Sequence, residues 1–233
     1  MRKDVKTLTF QSSMQNVPNS AWDVSEAGDR SVLAWMDSGD LYVAADGAIA
    51  PNSNASWLFQ GFVNLKTINF GNCFVTSSVT RMSGMFEGCS SLTVLDLSCF
   101  ETSAVTDMYG VFSICGSLTH LDLTSFDTSN VTDMSSMFGG CRSLTSLDLT
   151  SFDTSSVTDM GSMFDDCMSL PHLNLTSFDT SKVTDMAFMF SGCNSLTRLD
   201  LSNFDTSNVT NMLWMFGLCY DLTSLNLSSF DAS

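Results

Sequence analysis

The chain has 233 residues, of which 44% are hydrophobic, and its 25 acidic and 9 basic residues give a net charge of −16. This length suits one large domain or one solenoid, and the apolar content is sufficient for a continuous core. Binding to nucleic acid or to an anionic membrane surface is disfavoured, because both depend on clustered Lys and Arg.

The first 64 residues predict a β-rich cap at the N-terminal edge of the repeats that follow. Residues 5–10, 32–36 and 41–44 alternate between apolar and polar types, which is typical of strands. Residues 57–62, WLFQGF, resemble a worn copy of the later repeats. We therefore predict a domain boundary between residues 64 and 65.

Targeting signals are absent from the sequence. The basic first residues, MRKDVKTLTF, lack the apolar segment of a signal peptide. No stretch approaches the roughly 18 apolar residues of a transmembrane helix, so membrane insertion is not expected. We therefore expect either an intracellular protein or a piece of a longer one.

From residue 65 onward a phrase of 26 residues recurs, clearest at residues 144–169 as LTSLDLTSFDTSSVTDMGSMFDDCMS. A period of this size predicts a solenoid, in which each repeat forms one coil that packs only against its neighbours. The Leu-x-Leu alternation predicts a short parallel strand with both leucines inward. The first of these leucines are Leu95, Leu121, Leu147, Leu173, Leu199 and Leu225.

A second apolar spacing follows the strand in every repeat. Val131, Met134, Met137 and Phe138 lie at i, i+3, i+6 and i+7, which predicts one face of a short helix. Asp133 would sit in its first turn, where the helix dipole favours a negative charge. The methionines are predicted to fill the core rather than to bind copper. The predicted fold class is an α/β repeat solenoid with one short parallel strand and one short helix per repeat.

Six of the eight cysteines form one column of the repeat. Side chains in register point the same way, which opposes the torsion that a disulfide needs. We predict buried free thiols, and regard Cys73 and Cys99, which form a second column, as the best candidates for an exception. Zinc is disfavoured, because there is no Cys-x-x-Cys pair and only two histidines.

Most acids also form columns, and these raise the question of calcium as a cofactor. One column faces outward between the strand leucines, with only solvent and hydroxyl neighbours, and includes Asp122 and Asp148. Another includes Asp127 and Asp153, whose carboxylates are predicted to accept backbone N–H bonds in a turn. Oxygen atoms of adjacent coils would be suitable calcium ligands. No known calcium-loop motif is present, so the sequence favours no cofactor.

Function is expected where the repeats differ. One variable column on the strand face contains His120, His172 and Arg198. The two histidines lie two coils apart, about 10 Å, which is too far to share a metal ion. The alternative interpretation is that these are ordinary solvent-facing polar residues.

The second variable region lies near the end of the chain, where small residues give way to large apolar ones. We call Phe188, Leu213, Trp214, Leu218 and Tyr220 the aromatic patch. Clustered exposed apolar residues mark contact surfaces, so the patch is predicted to bind a partner or a second copy. Alternatively, these residues shield the core or pack against a following cap.

The chain stops after the Phe-Asp of its last repeat, which leaves half a coil and no cap. This predicts that the solenoid is truncated at its C-terminus. An uncapped edge also favours end-to-end self-association.

The phrase at residues 118–141, LTHLDLTSFDTSNVTDMSSMFGGC, resembles the 26-residue repeat of BspA-like leucine-rich-repeat surface proteins of mycoplasmas, lactobacilli and gut anaerobes. Residues 21–51, AWDVSEAGDRSVLAWMDSGDLYVAADGAIAP, are similar to the segment before such repeats. The resemblance implies a right-handed leucine-rich-repeat solenoid on a secreted or wall-anchored protein. It also implies adhesion to host or matrix proteins or to other cells, and no catalytic residues.

The sequence thus predicts a non-catalytic adhesion or protein-interaction module at the cell surface, with a protein of a host or neighbouring cell as its partner. Two alternatives are a spacer stalk of a larger surface protein and a glycan-binding module. An enzyme is disfavoured because no nucleophile–base pair and no Gly-rich phosphate loop is present.

Overall fold

The computed structural model describes residues 2–231. A 3₁₀ turn at Arg2–Asp4 precedes the four strands of the cap, β1 (Thr7–Gln11), β2 (Trp22–Asp23), β3 (Val32–Asp37) and β4 (Asp40–Ala45). The repeats contribute four more strands, β5 (Thr67–Asn69), β6 (Val94–Leu95), β7 (Arg198–Asp200) and β8 (Ser224–Asn226).

The strands of the cap continue into the sheet of the solenoid. Six strands form one sheet in the order β2-β3-β4-β1-β5-β6, and β7 pairs with β8. β3 and β4 form an antiparallel hairpin, whereas β1 runs parallel to both β4 and β5. Alternate residues of β1 are buried, as the sequence pattern predicts. β1 therefore joins the hairpin to the first coil.

The prediction of a short helix in each repeat is wrong for the part of the chain that the structure describes. The segment is a series of tight turns, in which Met137 N–H donates to Met134 C=O (3.2 Å) and Cys141 N–H to Phe138 C=O (3.0 Å). The backbone enters the left-handed region at Ser136 (φ 56°) and Gly140 (φ 75°). We call this segment, residues 134–141 and its equivalents in the other coils, the turn ridge.

The N–H groups of the turn ridge that do not close turns bond to the next coil. Those of Ser136 and Phe138 donate to Gly161 C=O (2.8 Å) and Met163 C=O (3.0 Å). Parallel bridges such as Asp133↔Asp159 complete this ladder along the solenoid. In a helix these N–H groups would donate to carbonyls of the same coil, whereas in the turn ridge they donate to the next coil. Successive turns and a helix bury the same spacing of apolar residues, so the pattern alone did not distinguish them.

The predicted strand of each repeat is only partly formed. Residues 120–175 contain no strand, although Leu147 and Leu149 in this region are buried with their side chains inward. Pairing here is sparse, as in the bond from Thr145 N–H to Thr119 C=O (3.2 Å). The leucine orientation was predicted correctly, but the continuous parallel ladder lies on the turn ridge.

The core is a set of apolar columns that run through the coils. One column of phenylalanine rings has centroids 5.7–5.9 Å apart and nearly parallel planes. It comprises Phe86, Phe112, Phe138, Phe164, Phe190 and Phe216. All but the last are fully buried. This regular stacking confirms that each coil packs on its neighbours.

A column of buried threonines also connects the coils. Thr128 Oγ1 donates to Asp153 C=O (2.9 Å) and accepts from Asp153 N–H (2.9 Å). The same pair of bonds is made by Thr76, Thr102, Thr154 and Thr180. Each hydroxyl thus satisfies two backbone groups of the following coil, which would otherwise be costly to bury.

All eight cysteines are free thiols, so the suggested exception at Cys73 and Cys99 is wrong; six are buried as predicted, whereas Cys99 and Cys219 are half-buried. Each thiol of the main column donates to a phenylalanine carbonyl of the preceding coil, as Cys141 Sγ does to Phe112 C=O (3.1 Å). Burial raises the pKa of Cys89 to about 11 and that of Cys141 to about 12. These thiols stay protonated at neutral pH and are poor nucleophiles.

The first turn ridge already lies before residue 65. Trp57 N–H donates to Ser83 C=O (2.8 Å) and Phe59 N–H to Met85 C=O (2.9 Å). Residues 57–62 thus stack on the next coil as a repeat would, while the domain boundary at 64/65 stays a prediction. Between residues 2 and 231, no helix has the length and apolar character needed to cross a membrane.

Candidate interaction surfaces

The variable column of the strand face is exposed throughout. His120 Nδ1 lies 3.4 Å from Ser146 Oγ on the next coil. His172 and Arg198 are bridge partners on adjacent coils, whereas His120 lies two coils before His172. The structure therefore brings His172 and Arg198 together and leaves His120 apart.

The aspartates between the strand leucines are tied into local turns. Asp122 Oδ1 accepts bonds from Thr124 N–H (3.1 Å) and Thr124 Oγ1 (2.7 Å), and Asp148 accepts the same pair from Thr150. The hydroxyl bond, followed by the backbone bond, lowers the pKa of both carboxyls. These aspartates are exposed as predicted, but each carboxylate also accepts two bonds from the threonine two residues later.

The aspartates after each phenylalanine form the turns that the sequence predicts. Asp127 Oδ1 accepts from Ser129 N–H (3.1 Å), and Asp153 Oδ1 accepts from Ser155 N–H (2.9 Å). Bonds from the same serines lower the pKa of both aspartates. No group of three or more His, Cys, Asp or Glu within residues 2–231 is placed to hold a metal ion. The four calcium candidates thus serve their own turns.

The aromatic patch lies on the last two coils, with Tyr220 directly after the last turn ridge. Leu213 and Trp214 are each 58% exposed, Leu218 47% and Tyr220 74%, while Phe188 is half-buried. Phe188 N–H donates to Leu213 C=O (2.8 Å), which holds the two ridges in register. The structure thus places Phe188 beside Leu213, and Trp214, Leu218 and Tyr220 follow Leu213 in the same coil.

Three residues of the patch have a left-handed backbone conformation. Phe188 (φ 58°), Trp214 (φ 55°) and Leu218 (φ 58°) occupy the left-handed positions of the ridge. Such a conformation is unusual for bulky residues and persists only where the surroundings hold it in place. The Trp214 ring lies over Gly217, where a Cβ atom would come within 2.7 Å of the ring. Small residues occupy the positions equivalent to Phe188 and Trp214 in the earlier coils, at Gly84, Gly110, Ser136 and Ser162.

Sequence reasoning missed further apolar side chains on the same ridge. Trp57 is 47% exposed, has φ 56° and covers Gly84. Leu58, Tyr109 and Ile114 are also exposed. The alignment of the worn repeat with later coils already put Trp57 on the ridge, so it could have been found. The ridge therefore carries an exposed tryptophan near each end.

The repeats also match a described protein family. The model of "Mycoplasma protein of unknown function, DUF285" matches residues 53–170 and 145–233. The chain belongs to the DUF285 family. The DUF285 matches together include the turn ridges from Asn54 onward and both variable columns.

One solved structure is similar to this DUF285 protein. It is the crystal structure of the T. pallidum leucine-rich repeat protein (TpLRR), with 20% sequence identity and a TM-score of 0.45. The match covers 77% of this chain and 72% of that chain. No curated protein sequence matches the DUF285 chain.

Proposed function

We propose that this chain is a non-catalytic protein-interaction module that binds its partner through the aromatic patch. The observation that carries the proposal is the exposure of Leu213, Trp214, Leu218 and Tyr220 on one surface. Tryptophan and tyrosine are the residues that most often dominate binding energy at protein interfaces. Small or polar residues at most equivalent positions of the middle coils make this surface distinct.

The turn ridge suits such a role because its backbone is held by hydrogen bonds between coils. Phe188 N–H and Phe190 N–H both donate to the following coil, at 2.8 and 2.9 Å. A pre-ordered surface loses little conformational entropy on binding, which favours affinity. The partner we propose is a protein of a host or neighbouring cell, with the chain at the cell surface. This finer assignment rests on the resemblance to BspA-like adhesins.

Two alternatives make different predictions for the same surface. A spacer stalk would need no distinct patch, so the aromatic patch weighs against it. A glycan-binding module would also use exposed aromatic rings, and would bind sugars in place of proteins. Self-association through the last coil is a third outcome, because Leu225 and Leu227 there are each 37% exposed.

The test compares Trp214→Ser with Trp57→Ser, two exposed tryptophans on the same ridge. Binding of each variant to immobilised extracellular-matrix proteins and to a glycan array would be measured, with sedimentation to follow self-association. We expect Trp214→Ser to weaken protein binding by roughly tenfold or more, and Trp57→Ser to leave it unchanged. Equal binding and equal oligomeric state for Trp214→Ser and the parent chain would refute the proposal. If Trp214→Ser loses binding to glycans but not to proteins, the result would favour the glycan-binding alternative.

A further inference from the structure

A cavity of about 690 Å³ opens beneath the cap sheet. One face of the sheet forms its first wall, with Val32, Leu41 and Val43 contributing from β3 and β4. Ile49 and Leu58, which precede the first repeat strand, also line it. The cavity thus lies between the cap and the first coil.

The cavity follows from the order of the strands. In the coils, each strand segment is covered by a turn ridge, but β3 and β4 extend the sheet beyond the first ridge at residues 54–62. Their inner face is therefore only partly covered, and Val32, Leu41 and Val43 remain half-buried. Leu8 and Phe10 of β1, nearer the first coil, are buried.

The walls are apolar except at a few positions. Ser25, Asn52, Asn54 and Ser56 are the small polar residues, and Arg2 and Glu26 are the two charged ones. Ligand cavities of about 300–1,000 Å³ with mostly apolar walls and few polar groups are typical of small-molecule sites. This composition selects a ligand with a substantial hydrocarbon part.

Arg2 gives the cavity a positive charge that is held in position. Its Nη1 donates to Gln60 C=O (2.8 Å), and its guanidinium carbon lies 5.6 Å from the centre of the Phe62 ring. Within residues 2–231 no carboxylate forms a salt bridge with Arg2. The guanidinium therefore keeps donors that a ligand carboxylate could accept from. Arg2 and Glu26 are both exposed, so solvent screens the attraction of an anion by Arg2 as well as its repulsion by Glu26, and the hydrogen bond to Gln60 is what positions Arg2.

The charge distribution of the chain disfavours an anion less at this end than along the repeats. Residues 1–66 hold five bases and seven acids, whereas the remaining residues hold four bases and 18 acids. A negatively charged ligand is repelled along the repeats but meets a nearly balanced surface at the cap.

We propose that this cavity binds a single-chain amphiphile with an anionic head, such as a medium-chain fatty carboxylate. The hydrocarbon chain packs against Val32, Leu41 and Val43, and the carboxylate is bound by Arg2. The site is separate from the aromatic patch, so loss of one leaves the other intact.

The experiment is calorimetric titration of the full chain with decanoate and with decylammonium, which share a tail length and differ in charge. We expect decanoate to bind with a stoichiometry of one and more tightly than decylammonium. Arg2→Gln should weaken decanoate binding roughly tenfold, the effect of one charge-assisted pair. Arg81→Gln, at an exposed arginine outside the cavity, should have no effect. Glu26→Gln should strengthen binding.

A second pair of variants locates the tail. Val43→Trp fills the cavity and should abolish binding of decanoate, while Tyr42→Trp changes the opposite face of β4, where Tyr42 stacks on Trp35 at 5.1 Å, and should not. Circular dichroism of both variants checks that each is folded. Absence of decanoate binding, tighter binding of decylammonium, or binding unaffected by both Arg2→Gln and Val43→Trp would each overturn the proposal.

Discussion

Two coils with the same core residues have different burial. In the coil at residues 157–182, Met160 and Phe164 are fully buried between neighbours on both sides. In the last described coil, at residues 209–231, Met212 and Phe216 occupy the same columns but are only partly buried. Burial in a solenoid is therefore a property of the stack, and one coil's sequence does not determine it.

Polar bonds differ between these coils in a directional way. Cys219 Sγ donates to Phe190 C=O of the preceding coil (3.0 Å), just as the buried cysteines do. The ridge N–H groups of Trp214, Phe216 and Leu218, by contrast, find no acceptor from another coil among residues 2–231. In each coil the cysteine thiol therefore donates to the preceding coil, whereas the N–H groups of the turn ridge donate to the following coil. Four substitutions test how much the contacts between coils contribute to the free energy of unfolding.

The largest effect is expected from phenylalanine truncation. Phe138 stacks on Phe112 and Phe164, each at 5.8 Å, whereas Phe216 stacks on Phe190 at 5.9 Å and is partly exposed. Phe138→Ala should cost about 4 kcal/mol, and Phe216→Ala about 2 kcal/mol. Urea unfolding followed by circular dichroism measures both. Equal losses would show that the last coil is as well packed as the middle.

The next effect concerns the buried threonines. Thr128→Val removes the hydroxyl that bonds both backbone groups of Asp153, and should cost about 2 kcal/mol because those groups become unsatisfied. Thr132 makes one exposed bond to Thr106 C=O (3.1 Å), so Thr132→Val should cost about 0.5 kcal/mol. The same urea titration applies. A smaller loss of stability for Thr128→Val than for Thr132→Val would mean that water replaces the Thr128 hydroxyl.

A third variant distinguishes the turn ridge from a helix. Ser162 has φ 56°, and glycine adopts this conformation without strain. Ser162→Gly should therefore raise the free energy of unfolding by about 1 kcal/mol. In a helix the same change would lower it. Ser143→Gly, outside the left-handed positions, is the control and should be destabilising. Destabilisation by Ser162→Gly would contradict the ridge geometry.

The smallest effect depends on pH. Burial, followed by the charges of Asp133 and Asp185, raises the pKa of Asp159. A carboxyl with a raised folded-state pKa costs nothing below the unfolded value of about 4; its cost grows as pH rises above that value and is complete above the folded-state pKa. Asp159→Asn should therefore stabilise the protein by about 0.5 kcal/mol at pH 7, because Asn211, in the same column, already donates to Asp185 (2.8 Å). This gain should disappear below about pH 4.

The control for this prediction has the opposite sign. Bonds from Ser155 lower the pKa of Asp153, so its ionised form stabilises the fold above the unfolded pKa and the contribution is lost as pH falls. Asp153→Asn should be slightly destabilising at pH 7 and neutral in acid. Thermal unfolding from pH 3 to pH 8 measures both variants. Parallel pH profiles for the two variants would contradict the opposite pKa shifts of Asp159 and Asp153.

The repeat pattern predicted which residues are buried, but it did not predict the backbone conformation of the segment that holds them. Met134, Met137 and Phe138 are in the core as expected, since one apolar spacing serves both a helix and successive turns. The signal that separates the two is the column of Gly and Ser at Ser136 and its equivalents, where the backbone must be left-handed. Phe188 and Trp214 obscure that signal, because bulky side chains rarely adopt this conformation.

The candidate surfaces were predictable to different degrees. The aromatic patch emerged from the columns because Trp214 and Phe188 replace small residues, and the structure exposes it. The cavity at the cap did not emerge, because its walls come from β1, β3, β4 and the first ridge, which are separate in sequence. Only the pairing of β1 with both β4 and β5 brings those walls together.

By itself the sequence determined the period, the inward columns and the free thiols, because each depends on the chemistry of one position repeated 26 residues apart. The tertiary structure alone decided the turn ridge, the exposure of the last coil and the cavity beneath the cap. Those features depend on where backbone N–H groups find acceptors and on which neighbours cover a face. Both are set between coils, at contacts that no single repeat encodes.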